Sequence, residues 1–153
     1  MEEGVWKRMP TATISKTIEF DMGHRVPNHK SKCKNIHGHR YRVEVGVLGP
    51  ITLTPHASDE GMVLDFGDLK EIMMNEVHDQ FDHGFMMYAK DPFAEDFRKF
   101  QRQGQKIIFV PFIPTAENIA MHIFTLLKPK IKKPLEISFV KVWETPNSAA
   151  RYP

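Results

Sequence analysis

From Ala12 onward the apolar residues fall on alternate positions. Ile14, Ile18, Phe20 and Met22 are separated by polar Thr13, Ser15, Thr17 and Glu19. A period of two marks a half-buried strand, and His24 continues the same face if no bulge interrupts it. Residues 27–35, PNHKSKCKN, form a polar loop rich in lysine. The next strand is the clearest element of the chain. His37, His39, Tyr41, Val43, Val45 and Val47 share one face, Gly38, Arg40, Arg42, Glu44 and Gly46 the other, and Gly49-Pro50 ends it. Two long alternating strands in succession predict an antiparallel pair.

The period then changes. After Asp65, a residue able to cap a helix, Phe66, Leu69, Ile72, Met73 and Val77 recur at helical spacing. A second helix starts behind Thr115, shows an apolar stripe of Ile119, Ile123, Leu126 and Leu127, and closes at Lys128-Pro129. Between them, Asp91 to Gly104 is polar apart from Phe93, Phe97 and Phe100, the pattern of a short extra helix docked by an aromatic edge. Ile107–Phe112, Leu135–Trp143 and Ala149–Tyr152 read as further strands. With no internal repeat and no linker, the expectation is a single α+β domain over residues 13–153, with residues 1–12 a loose tail. Its sheet is predicted to be antiparallel, with the helices packed on one face.

The chain has 153 residues, enough for a real core. Lysine plus arginine exceeds aspartate plus glutamate by 21 − 19 = 2, so charge gives no reason to expect a nucleic acid partner. No apolar run approaches the ~20 residues of a membrane span, and residues 1–10 lack the apolar stretch of a secretory signal. A single cysteine excludes an intrachain disulfide and fits a cytoplasmic setting.

His37-Gly38-His39 places two imidazoles on one face of a strand, roughly 6.5–7 Å apart along the chain. The glycine between them leaves room for a close backbone approach. His24, on the matching face of the preceding strand, supplies a third nitrogen. Three neutral imidazoles with a fourth position open make a catalytic zinc site. Cys33 stands between Lys32 and Lys34, where cationic neighbours favour a thiolate able to take up a proton.

The residues at this point resemble the 6-pyruvoyltetrahydropterin synthase superfamily, including the bacterial 6-carboxytetrahydropterin synthases of 7-deazaguanine (queuosine) biosynthesis. The matching segments are FDMGH (Phe20–His24), CKNIHGH (Cys33–His39), MVLDFGDLK (Met62–Lys70), FDH (Phe81–His83), PTAENIA (Pro114–Ala120) and ETPNSAARY (Glu144–Tyr152). They occur in the family's order and span nearly the whole chain from Thr13. The resemblance implies zinc held by His24, His37 and His39, proton abstraction by Cys33, an Asp82–His83 pair as the second catalytic group, and a pterin ring anchored by Glu144. It also implies the tunnelling (T) fold, whose subunits join sheets into a barrel as homo-oligomers, trimers or hexamers, with active sites between subunits. The lysine-rich approach to Cys33, the N-terminal tail and the Asp91–Gly104 insertion depart from the family pattern.

The implied reaction converts 7,8-dihydroneopterin triphosphate to 6-carboxy-5,6,7,8-tetrahydropterin, releasing acetaldehyde and triphosphate. The same motifs also suit 6-pyruvoyltetrahydropterin formation, in which only triphosphate is eliminated. Lys32, Lys34, Arg40 and Arg42 are candidates to meet the triphosphate. Thr115 and Glu117 are adequately explained by helix capping and stand outside the core site. His29, His56, His78 and His122 belong to no motif. A different class, a Cys33–His83–Asp82 thiol hydrolase with a structural zinc, uses the same side chains, and a non-catalytic pterin-binding module is disfavoured by intact Cys33 and His83.

Overall fold

The computed structural model describes residues 9–153. Strands β1 (Thr11–His24) and β2 (His37–Pro50) pair antiparallel without a break, from Thr11 opposite Pro50 to His24 opposite His37. The pairing takes in Thr11 and Ala12, two residues assigned above to the tail. Residues 1–8 of that tail lie outside the described residues.

Four more strands complete one sheet: β3 (Gly84–Tyr88), β4 (Ile107–Val110), β5 (Glu136–Thr145) and β6 (Ser148–Tyr152). Their order is β4-β3-β1-β2-β5-β6. β2–β5 and β5–β6 are antiparallel, but β3 runs parallel to β1 and β4 parallel to β3. The expected antiparallel sheet is therefore corrected to a mixed one. β3 also escaped the sequence reading altogether. Met86 and Met87, on opposite faces of that strand, are both fully buried, so no polar alternation announces it.

The helices explain why both faces of β3 are covered. Helix α1 (Phe66–Met73) continues through a widened π-type turn (Met74–His78) into α2 (Asp79–Phe81), and α4 spans Ala116–Leu127. Asp65 caps α1 by accepting from the Gly67 amide, and Thr115 caps α4 by accepting from the Asn118 amide at 3.3 Å. Leu69, Met73, Val77, Ile119, Ile123 and Leu127 are buried with Ile18, Phe20, Met22, Tyr41, Val43, Val45 and Val47 in one core. Phe66, counted above in the apolar stripe of α1, is instead 55% exposed.

Helix α3 (Ala94–Arg102), the expected extra helix, crosses to the other side. Its Phe97 packs on Phe85 with ring centroids 4.7 Å apart, in a separate cluster with Met87, Ile107 and Phe109. A parallel β3–β4 connection needs a crossover, and α3 supplies it. The helices thus do not all lie on one face, as expected above. Away from α3 that second face is polar. Arg40 pairs with Glu19 and Asp21, and Arg42 and Lys141 both lie 4.5 Å from the Trp143 ring centre. No helix among the described residues is long and apolar enough to cross a membrane.

His122 of α4 lies between the rings of Phe81 and Phe112, 6.0 and 5.1 Å away by centroids. Burial lowers its pKa below 6.5. The unfolded chain therefore binds a proton that the folded chain resists. Stability is full above about pH 6.5 and falls as the pH drops below it. Replacing His122 by Gln should flatten the decline in urea-unfolding free energy between pH 7.5 and pH 5.5, and an unchanged slope would remove His122 from that linkage.

Candidate functional site

The β1–β2 register builds the first half of the site. His24 ends β1 directly opposite His37, the first residue of β2, while Met22 lies opposite His39. All three imidazoles therefore project from one face. Their ring centroids form a near-equilateral triangle with sides of 4.7, 5.1 and 4.9 Å. One ligand nitrogen from each can be chosen so that all lie within 4.8 Å of one another. Gly38 lets the strands come this close, because a Cβ there would stand 3.0 Å from the Met22 carbonyl oxygen. Tyr41, next on the same face, packs edge-on to His24 and His39.

The surroundings aim the nitrogens. His24 Nδ1 donates to the Pro114 carbonyl and His37 Nδ1 to the Asn35 carbonyl, each at 2.7 Å. A donating Nδ1 leaves the lone pair on Nε2, as carbonyls do for metal-bound histidines. The Nε2 atoms of His24 and His39 are buried and make no hydrogen bond. Burial lowers the pKa of His24 to about 4, against the opposing pull of the Pro114 carbonyl. Burial also lowers that of His39, outweighing the nearby Glu144 carboxylate. At neutral pH both are uncharged and able to ligate. A buried, unpartnered His24 Nε2 beside two further imidazoles, with one nitrogen of each within 4.8 Å of the others, fits a metal ion.

Glu144, near the end of β5, brings its Oε1 to 3.2 Å from His39 Nε2. It also lines a cleft of about 250 Å³ with Val26, His29, Cys33, Thr115, Ala116, Glu117, Ser148 and Ala149. Cys33 sits in a short helical turn, Lys32–Lys34, and is partly exposed. The cleft brings in Thr115, Glu117 and His29, which the sequence reading set aside. PTAEN held a signal for the first two, but capping accounted for Thr115 and masked it.

Asp82 and His83 stand elsewhere. His83 follows α2 with a φ of 58°, in the left-handed region a non-glycine residue adopts only when its surroundings hold it there. Its amide donates to the Asp21 carbonyl at 2.7 Å, and Asp82 Oδ1 accepts from the Asp21 amide at 3.0 Å. Lys106 donates to the carbonyls of Asp79 and Asp82. His83 Nδ1 donates to Asp82 Oδ2 at 2.8 Å, which leaves Nε2 as an outward proton acceptor on a side chain 78% exposed. Partial desolvation raises the Asp82 pKa, but the Asp21 amide and His83 outweigh it and keep the carboxylate ionised.

His83 lines a groove of about 430 Å³ with Asp21, Gly23, Gly38, His39 and Arg40. His39 borders this groove and its neighbour Glu144 the Cys33 cleft. Cys33 lines that cleft and His83 the groove.

A family model described as 6-pyruvoyl tetrahydropterin synthase matches residues 13–153. The 6-carboxy-5,6,7,8-tetrahydropterin synthase of Haemophilus influenzae is 38% identical over 140 residues, covering 91% of this chain and 96% of its own. That of Aquifex aeolicus is 34% identical with the same coverage. Among solved structures, the 6-pyruvoyl tetrahydropterin synthase of Caenorhabditis elegans superposes with a TM-score of 0.67 at 29% identity, covering 95% of this chain and 96% of that one. An uncharacterized Wolinella succinogenes protein superposes with a TM-score of 0.71 at 26% identity, over 94% of this chain and 98% of its own. With the family model spanning nearly the whole described chain and the motif residues standing where the site is built, the chain belongs to the 6-pyruvoyl tetrahydropterin synthase family.

Proposed function

We propose that this chain is a zinc-dependent lyase that converts 7,8-dihydroneopterin triphosphate to 6-carboxy-5,6,7,8-tetrahydropterin with release of acetaldehyde and triphosphate, as a step of 7-deazaguanine (queuosine) biosynthesis in the cytoplasm. The carrying observation is the triad of His24, His37 and His39, with the buried His24 Nε2 unpartnered and Glu144 and the Cys33 cleft beside it. The relatives at 34–38% identity carry the 6-carboxy name, which favours this product over 6-pyruvoyltetrahydropterin. The family name and the C. elegans structure keep the 6-pyruvoyl product as the second reading.

His24, His37 and His39 would hold the zinc, which when bound would supply Lewis-acid stabilisation to side-chain oxygens of the substrate. Cys33 takes a proton from side-chain carbon. His83, oriented by Asp82 through Nδ1, moves a proton with Nε2 on the opposite side of the substrate. Glu144 accepts N–H donors from the aminopyrimidine edge. The complete site joins one subunit's Cys33 to another's His83 in a homo-oligomer, a trimer or hexamer, a reading supported by the separate clefts that the two residues line. Incubation with 7,8-dihydroneopterin triphosphate, with the pterin identified by mass and acetaldehyde assayed, decides between the products. A 6-pyruvoyl product without acetaldehyde would select the second reading.

The purified protein should carry about one zinc per chain, and alanine at His37 or His39 should lower zinc content and turnover together. Full zinc retention in both variants would reassign the ligands. Cys33→Ala should keep its zinc and lose about 10²–10⁴-fold in kcat. Refolding inactive Cys33→Ala with inactive His83→Ala should restore part of the activity through hybrid sites, and absence of rescue would place each site within one chain. Glu144→Gln should weaken pterin binding about 10–100-fold, since a hydrogen bond to a charged group contributes roughly 1.5–3 kcal/mol. Unchanged affinity would move the ring-binding role elsewhere.

A further inference from the structure

Immediately after His24, the chain makes an ionic contact that the proposed chemistry does not use. The Arg25 guanidinium binds the Asp91 carboxylate through Nη1, and both side chains are almost wholly buried. Replacing such a pair by packed apolar residues is often neutral or stabilising, so stability alone does not account for it.

Its other contacts lead to Cys33. Arg25 Nε donates to the Lys34 carbonyl at 2.9 Å, and the neighbouring Val26 amide donates to the Cys33 carbonyl at 2.8 Å. Both carbonyls on the C-terminal side of the thiol are thereby tied to the two residues that follow a ligand of the metal centre. The guanidinium is in turn fixed from the crossover. Asp91 Oδ1 accepts from the Phe93 amide at 2.8 Å, and the Phe93 ring lies 4.3 Å from the guanidinium carbon. Helix α3 holds that corner on the sheet through Phe97 and Phe85. A planar guanidinium can serve a carboxylate, a carbonyl and a ring face together, which a lysine ammonium cannot.

We infer that Arg25, locked by Asp91 and Phe93, is a positioning residue for Cys33. Through it the Asp91–Gly104 segment sets the thiol's place relative to the histidine triad. The inference rests on the catalytic reading of Cys33 given above. A displaced reacting group costs about 10²-fold even when the altered residue never touches substrate.

The test uses the double variant Arg25→Met/Asp91→Leu, which leaves no unpaired buried charge, beside Asp91→Asn and Cys33→Ala. Both clamp variants should fold, keep wild-type zinc content and KM, and lose about 10²-fold in kcat. The rate of Cys33 alkylation by iodoacetamide, read by mass without substrate, should shift at least about tenfold in the double variant. If Cys33→Ala is inactive while the double variant turns over at the wild-type rate, the positioning role is overturned. If Cys33→Ala is fully active, the catalytic reading of Cys33 has failed instead. The alkylation rate then judges the clamp alone, a shift supporting it and an unchanged rate ending it. Should the double variant not fold, Asp91→Asn decides by the same readouts.

Discussion

A slip of one residue between β1 and β2 would turn His24 to the opposite face from His37 and His39, because side chains on a strand alternate. Everything at the site depends on that register. It is held over 14 residues of each strand by a hydrophobic face that cannot be exchanged for the polar one. Ile18, Phe20 and Met22 with Tyr41, Val43, Val45 and Val47 are buried under α1 and α4, while Glu19, Asp21, Arg40 and Arg42 face away. The core that stabilises the fold also fixes which imidazoles meet. The triad is the continuation of the hydrophobic stripe at the end where polar groups replace apolar ones.

Around that stripe, each chemical group is held by backbone from another element. Pro114, just ahead of α4, fixes the His24 ring, and Asn35 fixes that of His37. Asp21, on the outward face of β1, grips Asp82 and His83 by its amide and carbonyl. One strand thus carries His24 on its inner face and, through its backbone, anchors the Asp82–His83 pair. Preorganisation of this kind keeps side chains near productive geometry without rearrangement during the reaction.

How much of this could be read from sequence follows from how each element is solvated. β1 and β2 have one wet face and one dry face, so their alternation was plain, and the histidines could be placed on it by counting. The caps Asp65 and Thr115 were legible because capping is local. β3 was not, because α3 on one side and α1 with α4 on the other bury both of its faces. The parallel pairing of β3 and β4 was hidden with it, and so was the side of the sheet that α3 covers. A helical stripe shows which residues are inward but not which surface they meet. At the candidate site, the three clustered histidines, Cys33, Asp82, His83 and Glu144 are all named by motif. What the sequence hid was their partition into two clefts, and the presence of Thr115, Glu117 and His29 beside Cys33, which depends on how far-separated loops converge.

The two clefts draw on different edges of the sheet. Ser148 and Ala149 of β6, one edge of the sheet, line the Cys33 cleft. His83 leads into β3, which is next to β4 at the other edge. Cys33 itself stands in the β1–β2 connection, tied to Val26 just after β1, while His83 precedes β3 and is tied to Asp21 of β1. Both edges are short strands, four residues in β4 and five in β6, with backbone groups left to be paired. Under the proposed assembly, pairing one subunit's β6 side with a neighbour's β4 side covers both edges. The same step brings a thiol cleft toward an imidazole groove. Edge closure and completion of the site are then one event, and the proposed lyase would gain its second proton-transfer group only as it assembles.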